Sequence, residues 1–456
     1  MSAWTGFGDY VEQLGAPMSG QGDAASFEAM LERALAAEAA PPPATYETTV
    51  CIIGGGVGGL ATAAALSDAG VASLVFERDK ALGARRAGYG MTLSNDAKGP
   101  LAQLQILDKC REMDCVSTAH WVFAGDGSIR GYYGRGLSAD AVDGAGRSGS
   151  LRVRRQQLRE VLCARVAPDS IHWSHVLQSI DEAEDHVLAT FADGTTCKCD
   201  ILVGCDGVRS RVRELREAKL RPALRRPLAN VGVGVVVGLS TFRHELVEKR
   251  GFYVLDGGAR LFTMPFSEKL TMWQLSFGSG EVDLQAPDII GQCEAYATKW
   301  ANVGGIAAKL VRATRADDVW AAPFRDRGAM AVEAASRSRV TVLGDACHPM
   351  TCFKGQGANQ ALADAALLAR RLAERGDVPK TLRRFEREMV QRAGPRAAAS
   401  HQAAVLLHSP AALTADLPSF ARVGEDPASV CEKLSRAGAT AATPDLEAAV
   451  RSVIYE

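Results

Sequence analysis

Val50-Cys51-Ile52-Ile53-Gly54-Gly55-Gly56-Val57-Gly58-Gly59 sets a short apolar run directly against a glycine-rich turn. Four consecutive apolar residues suit a strand covered on both faces, as in a parallel sheet. In Gly54-x-Gly56-x-x-Gly59, the first glycine permits a tight turn and the second lets backbone approach a pyrophosphate. The third allows close helix–strand packing. A small-residue helix is expected from Gly58 to about Ala69, with the amides at its start, including those of Val57 and Gly58, facing the phosphates. Ala72 to Phe76 reads as a second buried strand ending at Glu77, which is followed by Arg78. Strand, helix and strand together have the length of a right-handed crossover. Glu77 lies 23 residues after Gly54 (77 − 54), near the spacing of about 20 at which a carboxylate meets ribose hydroxyls. The same glycine pattern recurs at Gly144 to Gly149, after the polar Ser138-Ala139-Asp140. Without a strand before it, that copy reads as a loop, so one dinucleotide site is expected.

The bulk properties agree with a small-molecule enzyme and exclude other classes. With 456 residues, more than one lobe is expected. The formal net charge of -1 gives no electrostatic footprint for nucleic acid or an anionic membrane. Eleven cysteines, with no C-x-x-C pair, read as reduced thiols and not as a zinc site or disulfide framework. Cys197-Lys198-Cys199 reads as local strand packing, and His172-Trp173-Ser174-His175 as strand alternation, so no metal site is expected. The most apolar stretch, Val231 to Leu239, is too short to span a bilayer. The first 45 residues carry Asp9, Glu12, Asp23, Glu28 and Glu32 and no arginine before Arg33, unlike a signal or transit peptide, so a cytoplasmic protein is expected. Phe27 to Ala40 has helical composition and stops at Pro41-Pro42-Pro43.

Two more buried strands, Ile201 to Gly204 and Val340 to Gly344, lead into Asp206 and Asp345. Aspartates at strand carboxyl ends face the crevice where α/β sheets bind ligands. Asp206-Gly207 also reads as a turn before a helix. Asp345 is followed by Lys354-Gly355-Gln356-Gly357-Ala358-Asn359, a glycine-rich loop that starts an apolar-faced helix. The amides at such a helix start stabilise negative charge. Between the strands, Val231–Val237, Phe252–Val254, Arg260–Met264 and Thr271–Phe277 are strand-like, and Asp256-Gly257-Gly258 forms a hairpin turn.

The ordered triplet of glycine loop with Glu77, Asp206-Gly207 and Gly344-Asp345 resembles the single-component flavoprotein aromatic hydroxylases, the 4-hydroxybenzoate hydroxylase-like group. The resemblance covers roughly residues 48 to 375. It implies an α/β fold: a Rossmann-like FAD-binding lobe, an inserted antiparallel β-sheet substrate lobe and a helical C-terminus. The implied division is an extension over 1–45, an FAD-binding domain over 46–225 and 325–376, a substrate domain over 226–324, and a helical region over 377–456. Carried onto this sequence, the resemblance implies that Gly54, Gly56, Val57, Gly58, Gly59, Glu77 and Arg78 hold the ADP part of FAD. Asp206 serves FAD and the nicotinamide donor; Asp345, Gly355, Gly357, Ala358 and Asn359 meet the ribityl chain and flavin ring. Arg155-x-x-Leu158 is similar to the family's Arg-x-x-Leu helix, whose arginine approaches FAD, although Arg152, Arg154 and Arg159 also make it a charged helix face. Arg86-Ala87-Gly88 is similar to the segment whose arginine lies near a moving flavin. Cys352 departs from the family, which usually has proline there. His348 belongs to the motif and reads as structural.

By the same resemblance, NAD(P)H binds transiently and reduces FAD. Molecular oxygen then adds, and a flavin C4a-hydroperoxide hydroxylates or epoxidises an apolar or aromatic small molecule. No catalytic side chain is implied. Phe262, Met264, Trp273 and Leu275 are the candidate substrate contacts. The alternatives are a reductase of the geranylgeranyl type and a non-catalytic flavin-fold binding protein. No Trp-x-Trp pair supports a flavin halogenase. Oligomeric state has no sequence signal.

Overall fold

A computed structural model of the chain describes residues 44–84, 88–133, 150–301, 303–332, 337–414, 427–446 and 448. The expected helix at 27–40, Arg86 and the second glycine pattern at 144–149 lie outside the described residues.

The chain enters through β1 (Tyr46–Ile53), helix α1 (Val57–Asp68) and β2 (Ser73–Glu77). It continues through β3 (Gly90–Ser94), β4 (Ala119–Ala124), β5 (Ile129–Tyr133), β6 (Ser150–Arg154) and α2 (Arg155–Cys163). Next come β7 (Ile171–Trp173), β8 (Leu177–Glu182), β9 (Val187–Phe191), β10 (Thr196–Gly204) and α3 (Arg211–Ala218). The second half contributes β11 (Ala229–Ser240), β12 (Arg250–Leu255), β13 (Ala259–Pro265), β14 (Thr271–Gly278), α4 (Ile289–Thr298) and α5 (Gly304–Arg312). It continues with β15 (Thr314–Asp326), β16 (Val340–Val342), α6 (Gly357–Ala373) and α7 (Val378–Leu407).

The first sheet runs β7-β2-β1-β10-β9-β8, and β16 pairs with the end of β10. Strands β7, β2, β1, β10 and β16 are parallel, while β9 and β8 fold back antiparallel. Continuous apolar runs fit a sheet covered on both faces, and Val50, Cys51, Ile52 and Leu202 are fully buried. Helix α1 is built from glycine, alanine, leucine and one threonine over most of its length, so α6 packs directly on it. Leu60, Leu66, Leu362 and Leu368 fill the space between these layers. Strands β3 and β6 form a separate antiparallel pair.

The second sheet runs β15-β11-β14-β13-β12-β4-β5. It is antiparallel except for β12 and β4, which pair in parallel from Arg250↔Ala119 to Leu255↔Ala124. It therefore recruits residues 119–133, which the boundaries 46–225 assign to the FAD-binding segment, and β15 runs on to Asp326. Their alternation alone does not say which sheet such strands join; the long-range parallel pairing does. The expected hairpin at Asp256 is present, with Asp256 Oδ1 accepting from the Gly258 and Ala259 amides at 2.9 and 2.6 Å.

One face of this sheet is a closed core. Trp273, Leu275 and Phe277 pack with Ala297 of α4 and Leu310 of α5. Trp273 Nε1 donates to Thr314 Oγ1 at 2.8 Å, which satisfies the polar atom that such a ring brings inside. Gly238 makes room for the indole, since a Cβ there would lie 2.4 Å from it. Cross-strand partners share a face. Phe262 pairs with Gln274 and Met264 with Met272, whereas Leu261 pairs with Leu275. Phe262 and Met264 thus stand on the opposite face from Trp273 and Leu275. The expectation that all four line one substrate wall is corrected by this register: Trp273 and Leu275 belong to the helix-backed core.

Leu275 has no exposed surface. Leu275→Ala is expected to lower unfolding stability by about 2–5 kcal/mol, the cost of a buried cavity. Denaturant unfolding of the variant checks this, and a loss below that range would place Leu275 outside a closed core.

Candidate active site

Three parallel strands end at one level, because Ile53 pairs with Gly204 and Gly204 pairs with Val342. The segments that follow them, at Gly54, Asp206 and Asp345, open into one cleft of about 1900 Å3. Its floor is the strand ends and the starts of α1 and α6; its roof is the open face of the second sheet.

Gly54 has φ +109°, and a Cβ there would lie 2.6 Å from the Cys205 carbonyl oxygen. That combination requires glycine. A Cβ on Gly59 would lie 1.8 Å from the Gly54 carbonyl oxygen, so Gly59 serves packing, and it does not line the cleft. Gly56 differs from both: a Cβ there would point into the open cleft, 3.9 Å from the Arg155 guanidinium and near nothing else. Gly56 is the N-cap of α1 and no side chain caps the helix, so the Val57 and Gly58 backbone faces the cleft. Glu77 fixes the loop from the next strand. Its Oε2 accepts from the Gly55 amide at 2.5 Å and its Oε1 from the Asp79 amide at 3.0 Å. Arg78 and Arg155 line the same stretch, and the Arg155 guanidinium lies 5.7 Å from the centre of the Tyr89 ring.

Arg159 is a functional neighbour that the sequence reading treats only as part of a charged face. It is buried, and its Nε and Nη2 donate to the Gly55 carbonyl at 3.2 and 3.1 Å while Nη1 reaches Leu82 O at 2.9 Å. Its partner lies 104 residues away in the chain. Only the four-residue step from Arg155, which puts both on one helical face, hints at it.

Asp206 Oδ2 accepts from the Arg211 and Val212 amides at 2.7 and 3.1 Å, at the start of α3. Its Oδ1 is buried without a partner, and burial raises its pKa. Of the nearby arginines, Arg209 and Arg211 line the cleft, whereas Arg213 is fully buried, with Nε donating to Glu217 at 2.9 Å and Nη1 reaching the Cys347 carbonyl. Asp345 opens onto the cleft, where it is exposed, and partial desolvation by the cleft walls raises its pKa. The turn beneath it is held by Asp364, whose Oδ2 accepts from the Gly344 amide at 2.9 Å and meets His348 Nε2 at 2.7 Å. Burial opposes a charge on His348, but the Asp364 carboxylate outweighs it and lifts the pKa. His348 thus braces the turn.

Gly355, at φ +59°, leads into α6, whose start no side chain caps; Gly355, Gly357 and Ala358 line the cleft. Asn359 does not. Its Nδ2 donates to Thr92 O and Gly355 O at 3.0 and 2.8 Å, and its Oδ1 accepts from the Ser94 amide at 3.0 Å. A direct cofactor contact from its side chain is corrected to a clamp between β3 and the loop.

On the roof, Phe262 and Met264 line the cleft together with Met272, Gln274, Val235 and Val237. Cys352, an exposed residue, donates its thiol to Gln274 Oε1 at 3.3 Å, tying the loop to the roof. The His172 and His175 rings pack against Phe76, at 5.0 and 5.4 Å between centres. Among the described residues there is no cluster of three or more metal-ligating side chains, and no helix is long and apolar enough to cross a membrane.

A family model described as "FAD binding domain" matches residues 47–393. Aurachin C monooxygenase/isomerase from Stigmatella aurantiaca is 29% identical over 365 residues, spanning 78% of this chain and 88% of that protein. 2-Heptyl-3-hydroxy-4(1H)-quinolone synthase from Pseudomonas aeruginosa is 29% identical over 325 residues, spanning 71% and 80%. The solved structure of Klebsiella pneumoniae HpxO complexed with FAD and uric acid shares the fold, with TM-score 0.68 at 19% identity over 89% of this chain and 97% of that one. An uncapped helix start, open space over Gly56 and an orphaned carboxylate oxygen at Asp206 fit the cofactor that this match names. The chain belongs to the FAD-binding domain family and is an FAD-dependent monooxygenase.

Proposed function

We propose that the cleft holds FAD along the three strand ends and hydroxylates a planar, largely apolar aromatic molecule against the second sheet. The observation that carries this reading is the level ending of β1, β10 and β16 beneath an apolar roof of Phe262, Met264, Met272, Val235 and Val237. The quinolone in the name of the Pseudomonas relative supports a ring-bearing substrate with an apolar substituent.

When bound, FAD supplies the redox chemistry, taking electrons from NAD(P)H and activating molecular oxygen. The residues supply position and environment. The Val57 and Gly58 amides, at the positive end of α1, would hold the pyrophosphate. Glu77 spends one lone pair of each oxygen on the Gly55 and Asp79 amides and offers the others to ribose hydroxyls. Arg159 holds Gly55 from behind, so the loop keeps its shape before the cofactor arrives. Asp206 and Asp345 would accept hydrogen bonds from hydroxyls of its polyol part. The start of α6, which lines the cleft, would favour negative charge on the ring held there. The apolar roof excludes water from the reacting face.

Gly56→Val places its side chain in open cleft at a φ of -75°, which valine accepts. Losing charge-assisted contacts worth about 1.5–3 kcal/mol weakens FAD binding roughly ten- to a hundredfold with the fold intact. Flavin-to-protein absorbance and circular dichroism report the two effects separately. The reaction itself is tested by incubating the FAD-loaded enzyme with NAD(P)H, labelled oxygen gas and a panel of quinolones and hydroxybenzoates. The expected product gains one labelled oxygen atom. Substrate reduction without oxygen uptake would favour a reductase instead.

A further inference from the structure

Trp320 and Tyr89 are large hydrophobic side chains that stay exposed, at 52% and 36%. They face each other where roof and floor meet, and both line the cleft. Trp320 lies on β15, the edge strand of the roof, and pairs across to Val237 of the roof's open face. Tyr89 rises from the floor between Gly88 and Gly90, its carbonyl accepting from the Arg155 amide at 3.1 Å. The two ring centres are 6.3 Å apart and their planes are 30° from parallel. Stacked carbon layers sit about 3.5 Å apart, so a flat ring held between two others needs about 7 Å. The pair is therefore open by nearly the thickness of one more ring, and a small side-chain rotation completes the gap. Two exposed aromatic faces so placed gain contact area by taking a planar guest.

The polar neighbour narrows the guest. Asp318, two residues before Trp320, also lines the cleft. Asp317 beside it pairs with Arg315 at 3.9 Å, whereas no hydrogen bond or ion pair engages the Asp318 carboxylate among the described residues. Aromatic faces beside an open carboxylate suit a flat ring that carries an N–H donor. The FAD phosphates are accounted for on the floor at Gly56 to Gly58, and the apolar roof at Phe262 and Met264 asks for no such donor. A nicotinamide ring is planar and carries a carboxamide N–H2 group. It also has to enter and leave at every turnover, which a half-exposed clamp at the rim permits.

We infer that Tyr89 and Trp320 form a clamp that stacks the nicotinamide ring of NAD(P)H, with Asp318 accepting from its carboxamide. This rests on the reading of the cleft as a flavin monooxygenase site, in which the donor is a separate and transient ligand. The clamp sets donor affinity and leaves the affinity for FAD to the floor.

The test uses FAD-loaded protein and isothermal titration with two matched pairs of probes: NAD+ against ADP-ribose, and NADP+ against 2′-phospho-ADP-ribose. Each pair differs only in the nicotinamide ring. The wild type is expected to prefer the complete dinucleotide by about three- to tenfold in at least one pair, as one aromatic stacking contact implies. Trp320→Ala and Tyr89→Ala are expected to remove that preference with FAD still bound, Trp320→Phe to keep part of it, and Asp318→Asn to reduce it. In the wild type, the dinucleotide is also expected to protect Trp320 from hydroxyl-radical oxidation, read by peptide mass, while its truncated partner does not. No nicotinamide-dependent preference, or no such protection, overturns the inference whether or not the variants fold. So does a preference that survives Trp320→Ala, or a variant that weakens both members of a pair equally. Protein that takes up no FAD would instead overturn the flavoprotein reading beneath it.

Discussion

The site depends on a packing constraint at Gly204. Strands β1, β10 and β16 are held in register there, with Ile53 and Val342 on either side. No side chain fits: a Cβ on Gly204 would lie 2.7 Å from Val212 and 2.9 Å from Val342. Close approach at this point lets three distant segments finish at one level. Gly54, Asp206 and Asp345 then open into the same crevice, the general location for ligands in open α/β sheets. The glycines of the loop repeat the theme, since Gly54 and Gly59 each stand against backbone with no space for a methyl group.

Around that core the polar groups divide into those that shape the site and those left open to a ligand. Glu77, Arg159, Asn359, Asp364 and His348 spend hydrogen bonds on backbone or on each other and fix the loops. Asp345, the uncapped starts of α1 and α6, and Asp206 Oδ1 face the cleft or lack a partner. Where such a group is buried, as at Asp206 Oδ1, it is costly in the empty protein and becomes useful when a ligand supplies the missing partner.

Much of the floor was legible because its determinants are local. A buried strand, a glycine turn and a carboxylate at the next strand end all fall within about thirty residues, and tight-turn chemistry restricts the residues allowed. Asp345 and Gly357 follow the same logic on one stretch of chain. The roof was less legible for a definite reason. Alternation assigns residues to two faces but does not say which face sees the cleft, and only the register Phe262↔Gln274 separates Phe262 and Met264 from Trp273 and Leu275. The addition of residues 119–133 to that sheet rests on a parallel pairing between segments more than a hundred residues apart. Arg159 and Asn359 were misjudged in opposite directions because their partners are remote backbone atoms.

A crystal structure of the FAD-loaded protein tests the account most directly. The pyrophosphate is expected on the Val57 and Gly58 amides, with Asp345 against the ribityl chain and the flavin ring between Gly357 and the roof. A pyrophosphate seated instead on Arg209 and Arg211, with the space over Gly56 left open, would contradict it.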